Sequence, residues 1–269
     1  MAAHADGAEA YPVSAILERI RREFSATILG RRSDARFRDT DNPDLLGTYH
    51  SLMGAGPAKS VSRQAMWASL DHASHRITRK GQQMRVRVTG LPTDIEAGHI
   101  LAFGSIEDDC LVRIHSQCLY GESLAFQDCD CGPQLERSLD LIQAAGSGIL
   151  VYLNQEGRGY GLLAKARGYE ISEKNRLDTY DSYLSLGYTE DKRDYTLAAQ
   201  TLAKLGLSSI QLMTNNPHKL QAVRDADIHA TVIPLRTPPR TLREADYQAA
   251  KRRHGHWLPT DDPPWSPDL

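Results

Sequence analysis

Residues 133–153, PQLERSLDLIQAAGSGILVYL, decide the fold. The first part reads as a helix, Gly146-Ser147-Gly148 breaks it, and GILVYL (148–153) is an apolar run of strand length. The same alternation continues downstream: a helix from Tyr195 to Leu205, a strand SIQLM (209–213), a short helix Pro217–Val223 and a strand HATVIP (229–234). Upstream, MRVRV (84–88), HILAF (99–103) and CLVRIH (110–115) read as short strands between turn formers. Strands alternating with helices predict an α/β layered body, a mixed sheet flanked by helices.

The ends of the chain have a different character. VSAILERIRREFSATIL (13–29) sets Val13, Ile16, Leu17, Ile20, Phe24 and Ile28 at helical steps, and a second helix is expected over Arg63–Arg76. A partly helical N-terminal extension over 1–85, a catalytic domain over 86–258 and a proline-rich tail over 259–269 are the expected divisions. LREADYQAAKRRHG (242–255) reads as a C-terminal helix whose KRR run is a solvated face.

The chain has 269 residues, 41% hydrophobic and 25% charged, with a net charge of −2. That balance excludes a predominantly basic nucleic-acid binder and gives no large field for a polyanionic surface. No stretch approaches the roughly 18 consecutive apolar residues of a membrane helix. The opening MAAHADGAEAYP lacks the apolar core of a secretory leader, so a cytoplasmic protein is expected.

Four cysteines in a chain of this length are not a disulfide framework. Cys118, Cys129 and Cys131 form C-x10-C-x-C, followed by Gly132-Pro133 at a helix start, a setting that favours thiolates. Three readings follow: buried inert thiols, a closed zinc site completed by Cys110 or His115, or three ligands with an open position. The last is favoured, with one Zn²⁺ per chain; such an ion lowers the pKa of water to about 7, which implies hydrolysis.

Polar loops follow the strands. NQEGRGYG (154–161) has glycines that allow close backbone approach, with Glu156 and Arg158 as acceptor and donor fork. TNNPHK (214–219) sets Thr214 and Lys219 around a helix start suited to phosphate. LVRIHSQC (111–118) places Arg113 and His115 on one face before the first cysteine. DKRDY (191–195) gathers Asp191, Arg193 and Asp194, a pattern that exposed charges also produce. Together these are the parts of a nucleotide hydrolase.

The ordered motifs RIHSQCLYGE, CDCGPQLE, QEGRGYGLLAK, LDT, LGY, DKRDYTLAAQ and TNNPHK resemble those of GTP cyclohydrolase II, which opens the imidazole ring of GTP at the start of riboflavin synthesis. The resemblance runs from about Leu91 to Leu258, ending in Glu244, Tyr247, Lys251, Gly255 and His256. It implies a matching fold, zinc on Cys118, Cys129 and Cys131, and loss of C8 as formate. It places Arg113, His115, Ser116 and Gln117 along the nucleotide, with Gln134, Glu156, Gly157, Arg158 and Thr179. Thr214 and Lys219 would hold phosphates, with Mg²⁺ neutralising the polyphosphate. It implies Asp191 as general base, Arg193 as nucleophile at the α-phosphorus, Tyr169 in completing ring opening, and a homodimer.

The chain departs from that pattern. Gln117 stands where the family has glutamate and Asp128 where it has Arg or Lys, making the rim one unit more negative and less suited to a triphosphate. Tyr160, Tyr180 and Tyr183 stand where smaller or aliphatic residues are usual, which implies either altered stacking or neutral repacking. A carboxylate at 117 accepts two N–H groups from guanine's pairing edge, whereas an amide suits an edge such as uracil's. Another nucleotide in pyrimidine catabolism, arrest at the formylated intermediate, and a non-catalytic nucleotide-binding protein with structural zinc are therefore the alternatives.

Overall fold

β-branched and aliphatic runs bounded by glycines supply the centre of the sheet. In the computed structural model, which describes residues 66–67, 70–93 and 97–258, GILVYL becomes β5 (Gly148–Leu153), with only Tyr152 left part-exposed. The other strands are β1 (His72–Arg79), β2 (Gln82–Gly90), β3 (Gly98–Phe103), β4 (Cys110–Ser116), β6 (Ser209–Met213) and β7 (His229–Ile233). They form one seven-stranded sheet in the order β1-β2-β3-β5-β4-β6-β7. β1, β2, β3 and β5 pair antiparallel in succession, and β5, β4, β6 and β7 pair parallel, so the sheet is mixed as expected.

Strict alternation along β5 divides the core between the two faces. Ile149 and Val151 pack with Ile100, Val112, Ile114 and Leu212 on one face; Leu150 packs with Phe103, Ile142 and Met213 on the other. Helix α1 (Cys131–Ala145) covers the second face through Ile142 and stops at Gly146, whose left-handed backbone donates to Gln143 O. α2 (Leu162–Asn175) and α3 (Asp181–Ser185) lie between β5 and α4 (Thr196–Lys204) in the chain. α4 supplies Ala198, Ala199 and Leu202 to the first face. α5 (Pro217–Asp225) starts with Pro217 after Asn216, whose side chain accepts from His218 N. α6 (Leu242–Arg253) is capped by Thr241, which accepts from Glu244 N.

One expectation is corrected. The helix over Arg63–Arg76 gives way to strand β1 from His72, an exposed edge strand turned onto β2 by Lys80-Gly81, both with positive φ. The sheet therefore reaches back into the stretch assigned to the N-terminal extension. The 13–29 helix and the 259–269 tail lie outside the described residues. Among the described residues no helix is long and apolar enough to cross a membrane.

The parallel strands β4, β5 and β6 run in the same direction, so the loops after Ser116, Leu153 and Met213 share one edge of the sheet. This is where open α/β sheets bind ligands.

Candidate active site

Cys118 follows β4 by two residues, its loop fixed by Gln117 N donating to Leu153 O at 2.8 Å. Cys129 and Cys131 arrive from the start of α1. The three sulfurs lie within 4.8 Å of one another, and among the described residues this group has no fourth metal-ligating member. The turn after Cys118 and the start of α1 meet without side chains between them. A Cβ on Gly132 would sit 2.0 Å from Gly121 O, and one on Gly121 would sit 2.8 Å from Cys129 Sγ. Soft sulfur donors, their mutual distance and this closeness fit an ion of the zinc type. Hydrogen bonds from the Cys129 and Cys131 thiols, then the Lys165 ammonium, pull Cys118 down to about 3, while the same contacts and burial push Cys129 up. Cys118 is thus the sulfur of the three drawn furthest towards thiolate.

Neither proposed fourth ligand reaches the cluster. Cys110 lies at the opposite end of β4, packed into the core. His115 uses Nε2 on Glu122 Oε1 at 2.9 Å and stacks on Tyr152, whose hydroxyl donates to Glu122 Oε2 at 2.6 Å. Arg113 lies beside the His115 ring, 3.2 Å from Nδ1, and donates to Met213 O and Gln134 Oε1. Burial lowers it to about 10. Gln134 in turn donates to Asp130 Oδ2 at 2.6 Å, and Lys251 Nζ donates to Asp130 Oδ1 at 2.5 Å. Asp130, fully buried between two metal-site cysteines, is thereby tied to helix α6.

The sulfurs open on a cavity of about 510 Å³. Ser116, Gln117, Glu156, Gly157, Arg158 and Thr179 line it, as do Tyr169 and Arg193. Tyr169 is held well above the ordinary tyrosine range by burial and then by the nearby Cys129, so its phenol keeps its proton. Arg193 is clamped by Asp191, with Nε 2.9 Å from Oδ1 and Nη2 2.5 Å from Oδ2. Burial opposes its charge, but Tyr195 and Asp191 outweigh it and keep the guanidinium firmly protonated. Arg113, His115, Gln134, Asp191, Thr214 and Lys219 are not among the lining residues. Lys219 Nζ donates to Ile114 O at 2.9 Å and lies 5.0 Å from the Tyr195 ring, its pKa driven far down by burial and then Arg113. The buried hydroxyls of Ser116 and Tyr195 face one another and reach no other hydrogen-bond partner.

Sequence reasoning missed several groups at the cavity. Arg243 from α6 pairs with Asp128 at 3.1 Å and Glu173 at 3.0 Å, and lies 5.0 Å from the Tyr169 ring. The negative charge at position 128 is thus met inside the chain. Of the three unusual tyrosines only Tyr183 lines the cavity; Tyr160 stacks on Tyr188 at 4.5 Å and Tyr180 lies against Arg158. Lys165 and Tyr247 also line it. Both stand in motifs that carry the resemblance, Lys165 in LLAK behind the glycine loop and Tyr247 in the C-terminal pattern, but sequence reasoning gives neither a role.

A family model described as GTP cyclohydrolase II matches residues 72–233. The chain is 45% identical over 149 residues to "GTP cyclohydrolase-2" of Neisseria gonorrhoeae, covering 55% of this chain and 75% of that protein. It is 36% identical over 233 residues to "Riboflavin biosynthesis protein RibBA" of Bacillus mycoides, covering 80% of this chain and 56% of that protein. The RibBA protein of Bacillus cereus strain G9842 is 35% identical over 217 residues, 74% of this chain and 53% of its own. The chain therefore spans about half the length of these RibBA relatives.

Proposed function

The chain belongs to the GTP cyclohydrolase II family of hydrolases, and we propose that it opens the imidazole ring of GTP at C8, releasing formate and pyrophosphate. The observation that carries this reading is that three sulfurs within 4.8 Å of one another form a wall of the cavity that also presents Arg158, Arg193 and Tyr169. Cys118, Cys129 and Cys131 would hold zinc. When bound, zinc supplies a Lewis acid that brings the pKa of water to about 7.

The chain's own residues do the rest. Arg158 and Thr179 face the cavity as donors for phosphate oxygens, with Mg²⁺ neutralising the remaining charge. Ser116, which also lines the cavity, adds a hydroxyl to these donors. Tyr169, protonated, can donate to a ring nitrogen as the C–N bond breaks. Attack at the α-phosphorus by an Arg193 nitrogen would form an N–P bond and break the P–O bond to the leaving pyrophosphate. The N–H turns acidic only as that bond forms, when the paired Asp191 would take the proton, and water would later cleave the N–P bond. Asp191 thus serves Arg193 first; its pKa stays below the carboxylate norm because the Arg193 contacts outweigh burial. A homodimer, in line with the resemblance, completes the proposal.

Incubating the zinc-loaded protein with GTP and Mg²⁺, with mass detection of product and assay of formate and pyrophosphate, tests this. Intact GTP at high enzyme concentration removes GTP as substrate. A second reading keeps the chemistry and changes the base: Gln117 lines the cavity beside Cys118, and its amide suits a uracil-type edge. Turnover of a uracil nucleotide in preference to GTP, reversed in Gln117→Glu, is its expected result. If Gln117→Glu leaves the preference unchanged, the amide does not select the base.

A further inference from the structure

Lys165 has no part in the scheme so far, yet it is among the most constrained side chains at the cavity. It lies in the first turn of α2, buried, and its ammonium has two acceptors: Cys118 Sγ at 3.0 Å and Glu156 Oε1 at 2.9 Å. The face of Tyr120 lies 4.8 Å away. Glu156 is held by the protein through both oxygens. Oε1 also accepts from Gly157 N at 2.8 Å, and Oε2 accepts from Leu119 N at 2.7 Å. The carboxylate expected to face a nucleotide therefore grips the residue next to Cys118 and aims the lysine at its sulfur.

A buried ammonium is tolerated only where it is paired and hydrogen-bonded, and Lys165 meets that demand through Cys118 and Glu156. An N–H···S bond draws electron density from a thiolate, so the sulfur gives less of it to a bound metal. The metal remains a stronger Lewis acid than three unmodified thiolates would leave it.

We propose that Lys165 is a positioning residue of the metal centre, donating to Cys118 Sγ along a direction fixed by Glu156 and so setting how strongly that sulfur binds and donates. The inference rests on the three-thiolate metal centre proposed above. Cobalt(II) in place of zinc gives an optical readout independent of turnover. The full-length wild type should show sulfur-to-cobalt charge-transfer bands. Lys165→Met, which leaves the sulfur the stronger donor, should move them to longer wavelength. Lys165→Arg, which keeps a donor, should restore most of the wild-type position, and Glu156→Gln should shift the bands in the same direction but less. Absence of charge-transfer bands in the wild type overturns the three-thiolate centre itself. Bands present in the wild type but unmoved in Lys165→Met overturn the role of Lys165. Should Lys165→Met fail to fold, Glu156→Gln decides, and unchanged bands there reject the aiming device.

Discussion

The guanidinium of Arg158 lies 3.6 Å from the centroid of the Tyr180 ring, whose other neighbour is the His254 ring, stacked at 3.7 Å and 4°. Arg158 has left-handed backbone (φ 57°), donates to Glu190 O at 3.0 Å, and has no carboxylate partner among the described residues. An aromatic face orients the cation without neutralising it, which leaves its charge for an anionic ligand. Tyr180, one of the residues by which this chain differs from the family pattern, does not line the cavity and stands behind Arg158 as its platform.

Tyr180→Leu should therefore impair binding more than chemistry. A partly desolvated cation–π contact is worth about 1–2 kcal/mol, so KM for the nucleotide should rise roughly 5–30-fold with kcat much less affected. Steady-state kinetics check this; a fall in kcat at constant KM would place Arg158 in the chemical step.

Cys129→Ser should lose bound metal and ring opening together, measured by elemental analysis and formate release. Cys110→Ser should keep both, since Cys110 sits at the far end of β4. X-ray absorption on the wild type should find three sulfurs and one light atom; four protein ligands would turn the reading towards the non-catalytic alternative.

Gly132→Ala tests the closeness of the two metal-bearing segments. Its Cβ would need the space occupied by Gly121 O, so Gly121 and Cys118 must move apart from α1. We expect a stability loss of about 1–3 kcal/mol in urea and reduced metal content.

His115 is buried, with burial first, then Arg113 and Lys219, holding its pKa below normal against the raising effect of Glu122. Its partners require the neutral tautomer with the proton on Nε2, donating to Glu122. The unfolded chain binds a proton near pH 6.5 that the folded chain refuses. The contribution is complete above about pH 6.5 and lost as pH falls through the folded pKa, by at most about 1.4 kcal/mol per pH unit. Urea midpoints from pH 7.5 to 5.5 should fall less steeply in His115→Gln, and nitrogen NMR should find a protonated Nε2 at pH 7.

The strands of the central sheet were legible because burial on both faces demands unbroken apolar runs, as in GILVYL. β1 was not: HASHRITR exposes its first five residues in succession and lies at the sheet edge, so it carries little apolar signal. α2 was equally silent, since its buried residues are Ala164, Lys165 and Gly168 while Leu163 points to solvent. The cysteine cluster could be read from local spacing. The commitments of Glu156, Arg113 and Lys219 could not, because their partners lie on other strands and loops. Arg113 and Lys219, two side chains expected at the nucleotide, instead end on backbone oxygens of Met213 and Ile114.

The bond from Lys251 to Asp130 spans 121 residues of chain. Without Lys251 the buried Asp130 carboxylate would keep the Gln134 amide but no contacting cation, so the segment bearing two of the three sulfurs gains this counter-ion when α6 docks. Completion of the mount therefore depends on residues far downstream, and a polypeptide stopped short of position 251 would carry its thiols beside an uncompensated charge.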